Sequence, residues 1–337
     1  MTVSVSATTP TRRVRIDHPS AVYAATRAAR AAARDAALPD VLAERAAVVT
    51  SELASNLDKH ATGGSVFIQR ALTGRGVDVL TADDGPGMAD LAHWLVDGNT
   101  TTSTLGSGLG AIGRMSTTFQ IRSTPGTGTT TAARVLAPGT PAGPADAVGH
   151  FCLPREGEQH CGDAIALAED TGSRTVVVAD GLGHGPDAAE AADLAIGVFG
   201  NNPDRALSAQ LAAMHRALRG TRGAAVALAR VSGRGVEFCG VGNVSATILT
   251  PGRSSQLLLS VPGVVGFILP AVLPRHAPLT GGAVVVLHTD GIDHSWRAPL
   301  PPAQPAGALL LAAELAHRHR NPRDDAAAIA LHADQLP

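Results

Sequence analysis

The run LAPGTPAGPADA, from Leu136 to Ala147, holds three prolines and two glycines in twelve residues and has no apolar periodicity. Proline fixes φ and removes a backbone donor, so neither a helix nor an inner strand can cross this run. It reads as a linker at 137–147. The 337 residues therefore divide into a domain at 1–136 and a second at 148–337, each long enough to bury its own core.

Charge and composition remove several function classes. Lys and Arg total 27 against 29 for Asp and Glu, and no basic stripe suits a duplex, so nucleic acid is not an expected partner. Aromatic residues make up 3%, too few for base-stacking platforms. The three cysteines, Cys152, Cys161 and Cys239, show no CxxC spacing, which points to reduced thiols, not a disulfide framework or a zinc site. MTVSVSATTPTRRVRI lacks an apolar signal core. The most apolar stretch, LLLSVPGVVGFILPAVLP, is broken by Pro262, Gly263, Gly266 and Pro270, so no membrane span is expected. These features point to a cytoplasmic protein.

In the first half, SAVYAATRAARAAARDAAL and DVLAERAAVVTSELASNLDKHA carry helical spacing, with Asp40 placed to cap the second helix. SVFIQRAL and GVDVLTADD read as strands, GLGAIGRM as a helix start, and TFQIRST with GTTTAARVL as a closing hairpin. Glu52 and Asn56 lie four apart, hence on one helix face. A carboxylate and an amide there suit a hydrated cation and a polarised hydroxyl; a solvated polar face has the same pattern. ADDGPGM (Asp83 to Met88) follows an apolar strand, where a carboxylate before two glycines can accept from a base amine or simply close a turn. Gly106, Gly108 and Gly110 in GSGLG precede a helix, whose free N–H groups favour phosphate. Thr129 sits on the closing strand.

These boxes, in this order, resemble the GHKL ATPase superfamily over roughly residues 10–136. TSELASNLDKHATGG and LVDGNTTTSTLGSGLGAIGRM are most similar to the RsbT-type switch kinases. The resemblance implies an ATP site. Asn56 would help to hold Mg²⁺, Glu52 would activate the attacking hydroxyl, and Asp83 would accept from the adenine amine with support from Thr129. Gly85 and Gly87 would flank the base, while Gly106, Gly108, Leu109 and Gly110 would cradle the phosphates. MADLAHWLVDGNTTTSTL would be the ATP lid.

The second half shows strands at AIALAED, RTVVVAD, GAAVALARV, GVEFCGVG, SATILTP, GAVVVLHTD and AAAIALHA. Helical patterns sit at PDAAEAADLAIGVF, PDRALSAQLAAMHRAL and PAGALLLAAELAHRH. Asp180 and Asp290 end strands, Asp324 precedes the last, and Asp163 is expected to begin the domain's first. Carboxylates at separate strand ends repel at one rim unless divalent cations neutralise them; each, taken singly, is also an ordinary turn residue. No Lys-Ser/Thr follows ADGLGHG, so a P-loop is excluded.

GDAIALAED, VVVADGLGHG, GVGN and HTDGI together resemble the metal-dependent phosphatases of the protein phosphatase 2C class, in particular RsbX and SpoIIE domains, over about residues 148–333. The resemblance implies two ions, Mn²⁺ or Mg²⁺, held by Asp180 and the Gly181 carbonyl, completed by Asp290 and Asp324, with Asp163 a nearby or outer ligand. Asp325 is the rival of Asp324, and the family pattern favours the first acid. His184 is expected to be a turn residue or to support the ligands from behind, with a general-acid role as the alternative; Asn243 is expected to satisfy backbone in a tight turn bordering the cleft.

The expected fold class is α+β in two domains. The first is a GHKL α/β sandwich with helices on one face of a mixed sheet; the second is a protein phosphatase 2C-like α-β-β-α sandwich. The two resemblances together imply a bifunctional regulator with Asp180 and Asp290 catalytic in the second half and Glu52 in the first. Its partners would be STAS-domain antagonists or stressosome scaffolds, or anti-sigma and sigma factors. A different class is a nucleotide-binding sensor that gates the phosphatase without phosphotransfer.

Overall fold

The computed structural model describes residues 3–91, 108–139, 146–297 and 307–337. It forms two compact units, one of residues 11–146 and one of residues 1–10 with 147–337. The first strand, β1 (Ser4–Ala7), belongs to the latter unit. The expected span of 1–136 for the first domain thus gives up its first ten residues.

The unit at 11–146 runs β2 (Arg12–Arg15), α1 (Ser20–Asp35), α2 (Asp40–His60), β3 (Ser65–Arg70), β4 (Gly76–Ala82), α3 (Leu109–Met115), β5 (Thr118–Thr124) and β6 (Gly128–Leu136). The sheet order is β2-β3-β4-β6-β5. Every one of these pairings is antiparallel, where the sequence reading expected a mixed sheet. The reason is that β3–β4 and β5–β6 are hairpins, and β6 returns beside β4 in the opposite sense.

Small side chains let the helices lie close on the sheet. Ala25, Ala28, Ala29 and Ala33 of α1 share a core with Ala43, Ala46, Val49 and Leu53 of α2 and with Val66, Ile68, Val77 and Val79. Asp40 is the first residue of α2, and Pro39 occupies the cap without a side-chain bond. The acid therefore acts on the helix dipole from the first turn, not as the cap.

The other face of the central strands is polar at its middle. Asp78 and Arg134 are direct cross-strand partners and both are fully buried. The guanidinium is bidentate, with Nε donating to Asp78 Oδ1 at 2.6 Å and Nη2 to Oδ2 at 2.8 Å, while Nη1 donates to Thr73 Oγ1 at 3.1 Å.

The second unit has two sheets. β1, β8 (Asp163–Asp170), β9 (Ser173–Gly181), β10 (Ala224–Ser232), β11 (Gly235–Val241) and β14 (Arg275–Ala277) form one, in that spatial order. β13 (Gln256–Leu258), β12 (Ser245–Leu249), β15 (Val284–His288), β16 (Ala326–His332) and β7 (Val148–Leu153) form the other. Helices α4 (Pro186–Asn201) and α5 (Leu207–Ala217) cover the first sheet through Ala192, Ile196, Phe199, Leu211 and Met214. Helix α6 (Ala308–Glu314) covers the second, so close that a Cβ on Gly149 of β7 would lie 2.0 Å from Ala308 O. The sheets pack face to face, β8 against β7 and β16, giving α-β-β-α layers. Burial on both faces explains the unbroken apolar runs of β9, β15 and β16.

Two strands, β1 and β7, precede β8, so Asp163 does not begin this unit's first strand. β1, β2, β13 and β14, three or four residues each, are too short to show a period. Among the described residues no helix is long and apolar enough to cross a membrane.

Removing one partner of the buried Arg134–Asp78 pair leaves an uncompensated charge. Arg134→Met is expected to cost about 3–5 kcal/mol, and Asp78→Leu added to it should restore most of the loss, as read by denaturant unfolding of both variants.

Candidate functional site

The carboxylates of the second unit gather where the ends of its two sheets meet. Asp163 opens β8 and Asp180 stands near the end of β9, and the two are direct cross-strand partners. Their Cβ atoms hence share one face at about 4.5–5.5 Å. Asp290 follows β15, and Asp324 and Asp325 precede β16, its neighbour. Gly291 permits this approach: a Cβ there would lie 1.9 Å from Asp325 O. The Gly291 carbonyl also accepts from Asn321 N–H at 2.8 Å. Gly181 follows Asp180 and donates its N–H to Gly162 O at 2.9 Å.

The cluster has a floor and a rim. Asp163 and Asp325 are each 4% exposed, whereas Asp180 and Asp324 are half-buried and Asp290 is exposed. On the floor, Thr289 Oγ1 donates to Asp163 Oδ2 at 2.7 Å and accepts from Ala327 N–H at 3.0 Å, tying the first sheet to the second. Asp325 Oδ1 accepts from Arg155 N–H at 2.8 Å, while its Oδ2 is buried without a partner. At the rim, Asn243 Nδ2 donates to Asp290 Oδ2 at 2.6 Å. Beneath it, His288 contacts Thr289 O through Nδ1 at 2.8 Å and Arg297 Nη2 through Nε2 at 3.0 Å. A carbonyl only accepts and a guanidinium only donates, so the imidazole is the neutral Nδ1–H tautomer. Burial holds it so, lowering its pKa to about 4.

Crowded acids raise one another. Burial, then Asp290, push the Asp180 carboxyl up to about 8 against a lowering hydrogen bond from Asn243. Burial and Asp180 push Asp163 well above the usual carboxylate range, the Thr289 hydroxyl opposing them. Burial and Asp290 raise Asp324 as well. Among the described residues no three His, Cys, Asp or Glu side chains already stand at the spacing of a closed metal centre. The donor set nonetheless fits hard cations, which take carboxylate oxygens and relieve their repulsion, and the orphaned Asp325 oxygen fits the same chemistry.

Three residues of this cluster lay outside the predicted ligand set. Thr289 carries no spacing signal, because its partner Asp163 comes from another strand, whereas Asn243 stands in GVGN but its partner Asp290 is set by the fold. Asp325 was visible beside Asp324, but only burial separates the inward acid from the half-buried one. His184 is 3.2 Å from Glu158 Oε1 through Nδ1 and about half exposed. The thiols of Cys152 and Cys161 lie 3.4 Å apart and, like Cys239, are buried and in no disulfide among the described residues.

In the unit at 11–146, Glu52 and Asn56 are both half-buried, one turn apart on α2. The end of this helix touches the ADDGPG corner: a Cβ on Gly85 would lie 3.1 Å from Ala61 Cα and 3.3 Å from His60 O. Asp83 is 6% exposed. Its Oδ1 accepts from Gly85 N–H at 2.8 Å and Thr129 N–H at 3.2 Å, which fixes its aim. The Thr129 hydroxyl meets Ser123 Oγ at 2.8 Å, so at Asp83 it is the threonine main chain that makes contact. Gly87 has φ +66°, and a Cβ there would lie 2.2 Å from Thr124 O; packing on the β5–β6 hairpin already demands glycine. Gly108 caps α3, which Leu109 and Gly110 begin. Gly106 and the expected lid beyond Leu91 lie outside the described residues.

Comparison with known proteins fits both halves. The histidine kinase-like ATPase domain family matches residues 17–135 and the stage II sporulation protein E (SpoIIE) family matches 170–334. The serine/threonine-protein kinase RsbT of Bacillus subtilis (strain 168) is 30% identical over 110 residues, 32% of this chain and 83% of RsbT. The phosphoserine phosphatase RsbX of the same organism is 26% identical over 145 residues, 42% of this chain and 73% of RsbX. A chain from a structural study of the bacterial stressosome is 34% identical, with a TM-score of 0.49, covering 54% of this chain and 97% of that one. Fold and sequence define a GHKL kinase-like domain combined with a protein phosphatase 2C-type domain. The chain belongs to the RsbT-like family of histidine kinase-like ATPases and carries an RsbX- and SpoIIE-like phosphatase domain in the same polypeptide.

Repulsion among the floor and rim acids predicts that charge removal stabilises the metal-free chain. With a chelator present, Asp325→Asn, which keeps the Arg155 contact, should raise the melting midpoint by about 2–4 °C for each kcal/mol relieved. Scanning calorimetry with and without Mn²⁺ checks this, since the ion should shrink or reverse the gain.

Proposed function

We propose that this chain is a bifunctional switch that phosphorylates Ser/Thr of a STAS-domain partner with ATP and hydrolyses phospho-Ser/Thr on the same or a related partner. The observation that carries it is the gathering of Asp163, Asp180, Asp290 and Asp324 at one end of two packed sheets, in a chain that also holds Glu52 and Asn56 on one face of α2.

In the phosphatase domain, Asp180, Asp290 and Asp324 with the Gly181 carbonyl would hold Mn²⁺ or Mg²⁺, with Asp163 behind them. Such a pair of ions, when bound, makes a water nucleophilic at neutral pH and stabilises the oxygens of a phosphoryl group. The chain's own part is orientation: Thr289 fixes Asp163, and Asn243 fixes Asp290. The Thr289 hydrogen bond favours the ionised Asp163 carboxylate, the state a cation needs.

In the ATPase domain, Asp83 is aimed to accept from an adenine amine, and Asn56 offers an amide oxygen to the Mg²⁺ of the nucleotide. Gly85 and Gly87 would let the backbone come near the base, and the motif residues Gly106, Gly108, Leu109 and Gly110 would offer N–H groups to phosphate oxygens. Glu52 accepts the proton of the incoming hydroxyl, a role that a pure nucleotide sensor would not require. Linking both activities keeps each at high effective concentration beside one partner. STAS-domain proteins are the partners in view because RsbT and RsbX mark a partner-switching system; anti-sigma and sigma factors are further candidates.

The division of labour is directly testable. With a cognate STAS protein, radiolabelled ATP and Mn²⁺, Glu52→Ala should abolish phosphorylation and leave dephosphorylation intact; Asp290→Ala should do the reverse. Loss of both activities in either variant, or of neither, rejects the assignment. Asp83→Asn retains the turn-closing oxygen but turns an acceptor into a donor, and should weaken nucleotide binding about tenfold or more, measured by fluorescent-nucleotide titration.

A further inference from the structure

The phosphatase unit is built from two stretches of chain separated by the whole ATPase unit. β1 pairs with the free edge of β8 from Ser4↔Glu169 to Ala7↔Ala166. The strand is also held from the helical side. Val3 packs against the core that contains Phe199, and Val5 Cγ1 comes within 3.9 Å of a Cβ built on Gly200 of α4.

The pairing ends in a lock. Thr8 N–H donates to Ile165 O at 2.8 Å; the Thr8 hydroxyl accepts from Ile165 N–H at 3.0 Å and donates to the same carbonyl at 3.2 Å. Both main-chain polar groups of a fully buried residue are thus satisfied by one threonine. Ile165 is two residues after Asp163, so their side chains point to the same face of β8. Without β1, β8 would be an edge strand, with its first residues paired on one side only, and edge strands fray first.

We propose that residues 3–8 are a working part of the phosphatase unit: β1, locked by Thr8, holds the start of β8 in the register that sets Asp163 opposite Asp180. Thr8 is a positioning residue that acts through Ile165. The inference rests on the metal-centre reading of the acid cluster. It assigns the first residues of the chain to a site whose sequence motifs begin more than 150 residues later.

The test uses the full chain with Mn²⁺ as probe, well below the unfolding transition of every variant. Thr8→Val keeps the shape and loses the hydroxyl; Thr8→Ser keeps it. Thr8→Val should raise the Mn²⁺ dissociation constant by calorimetry roughly five- to tenfold and speed hydrogen exchange at the Ile165 amide. Exchange in β10 and β11 should stay at the wild-type rate, and Thr8→Ser should behave as wild type. Removal of residues 2–8 should weaken Mn²⁺ further. If wild type binds Mn²⁺ and Thr8→Val binds it equally, with only its melting midpoint lowered, β1 is a stabilising strand and the inference is overturned. A wild-type chain that binds no Mn²⁺ overturns the metal-centre reading, and this inference with it.

Discussion

Buried like charge is the constraint around which the phosphatase unit is arranged. Asp163 and Asp325 form the buried floor of a cluster whose rim carries Asp180, Asp290 and Asp324, and burial with mutual repulsion raises Asp163, Asp180 and Asp324. A fold that keeps acids so close must hold them by geometry, because their electrostatics drive them apart. The holding is done by cross-strand register between β8 and β9, by Thr289 between the sheets, and by Gly291, which lets the Asp290 turn meet the Asp325 main chain.

The ATPase unit solves a different problem, the close packing of two helices on one antiparallel sheet. Its single sheet carries two alanine-faced helices, and small side chains let α2 bring its end against the Asp83 corner. The buried Arg134–Asp78 pair shows that the sheet pays for polarity inside with bidentate geometry. A buried pair of this kind adds little net stability over apolar residues of like volume, but it penalises any register other than the one that satisfies it.

Kinase-like and phosphatase domains in one chain also change how the chain can be divided. The ATPase unit is an insertion between β1 and the rest of the phosphatase unit. A cut at the proline-rich segment separates the two along the sequence, but leaves β1 on the wrong side. Residues far apart in the chain thus belong to one cooperative body, which is why a boundary drawn from composition alone misplaced the first ten residues.

Much was legible in the sequence because it was local. The Pro/Gly run marks a boundary by what proline forbids, the apolar runs mark strands, and strand-end acids followed by glycines mark candidate ligands. Order along the chain was enough to place both halves in their families. Only the tertiary structure decided the rest. It put β1 on β8, turned Asp325 inward while Asp324 stayed at the rim, made the sheet of the first unit antiparallel, and joined Thr289 to Asp163 across 126 residues. Each of these is a contact between segments remote in sequence. A residue's type and neighbours fix its local conformation, but its partners are chosen by which strands the whole fold sets side by side.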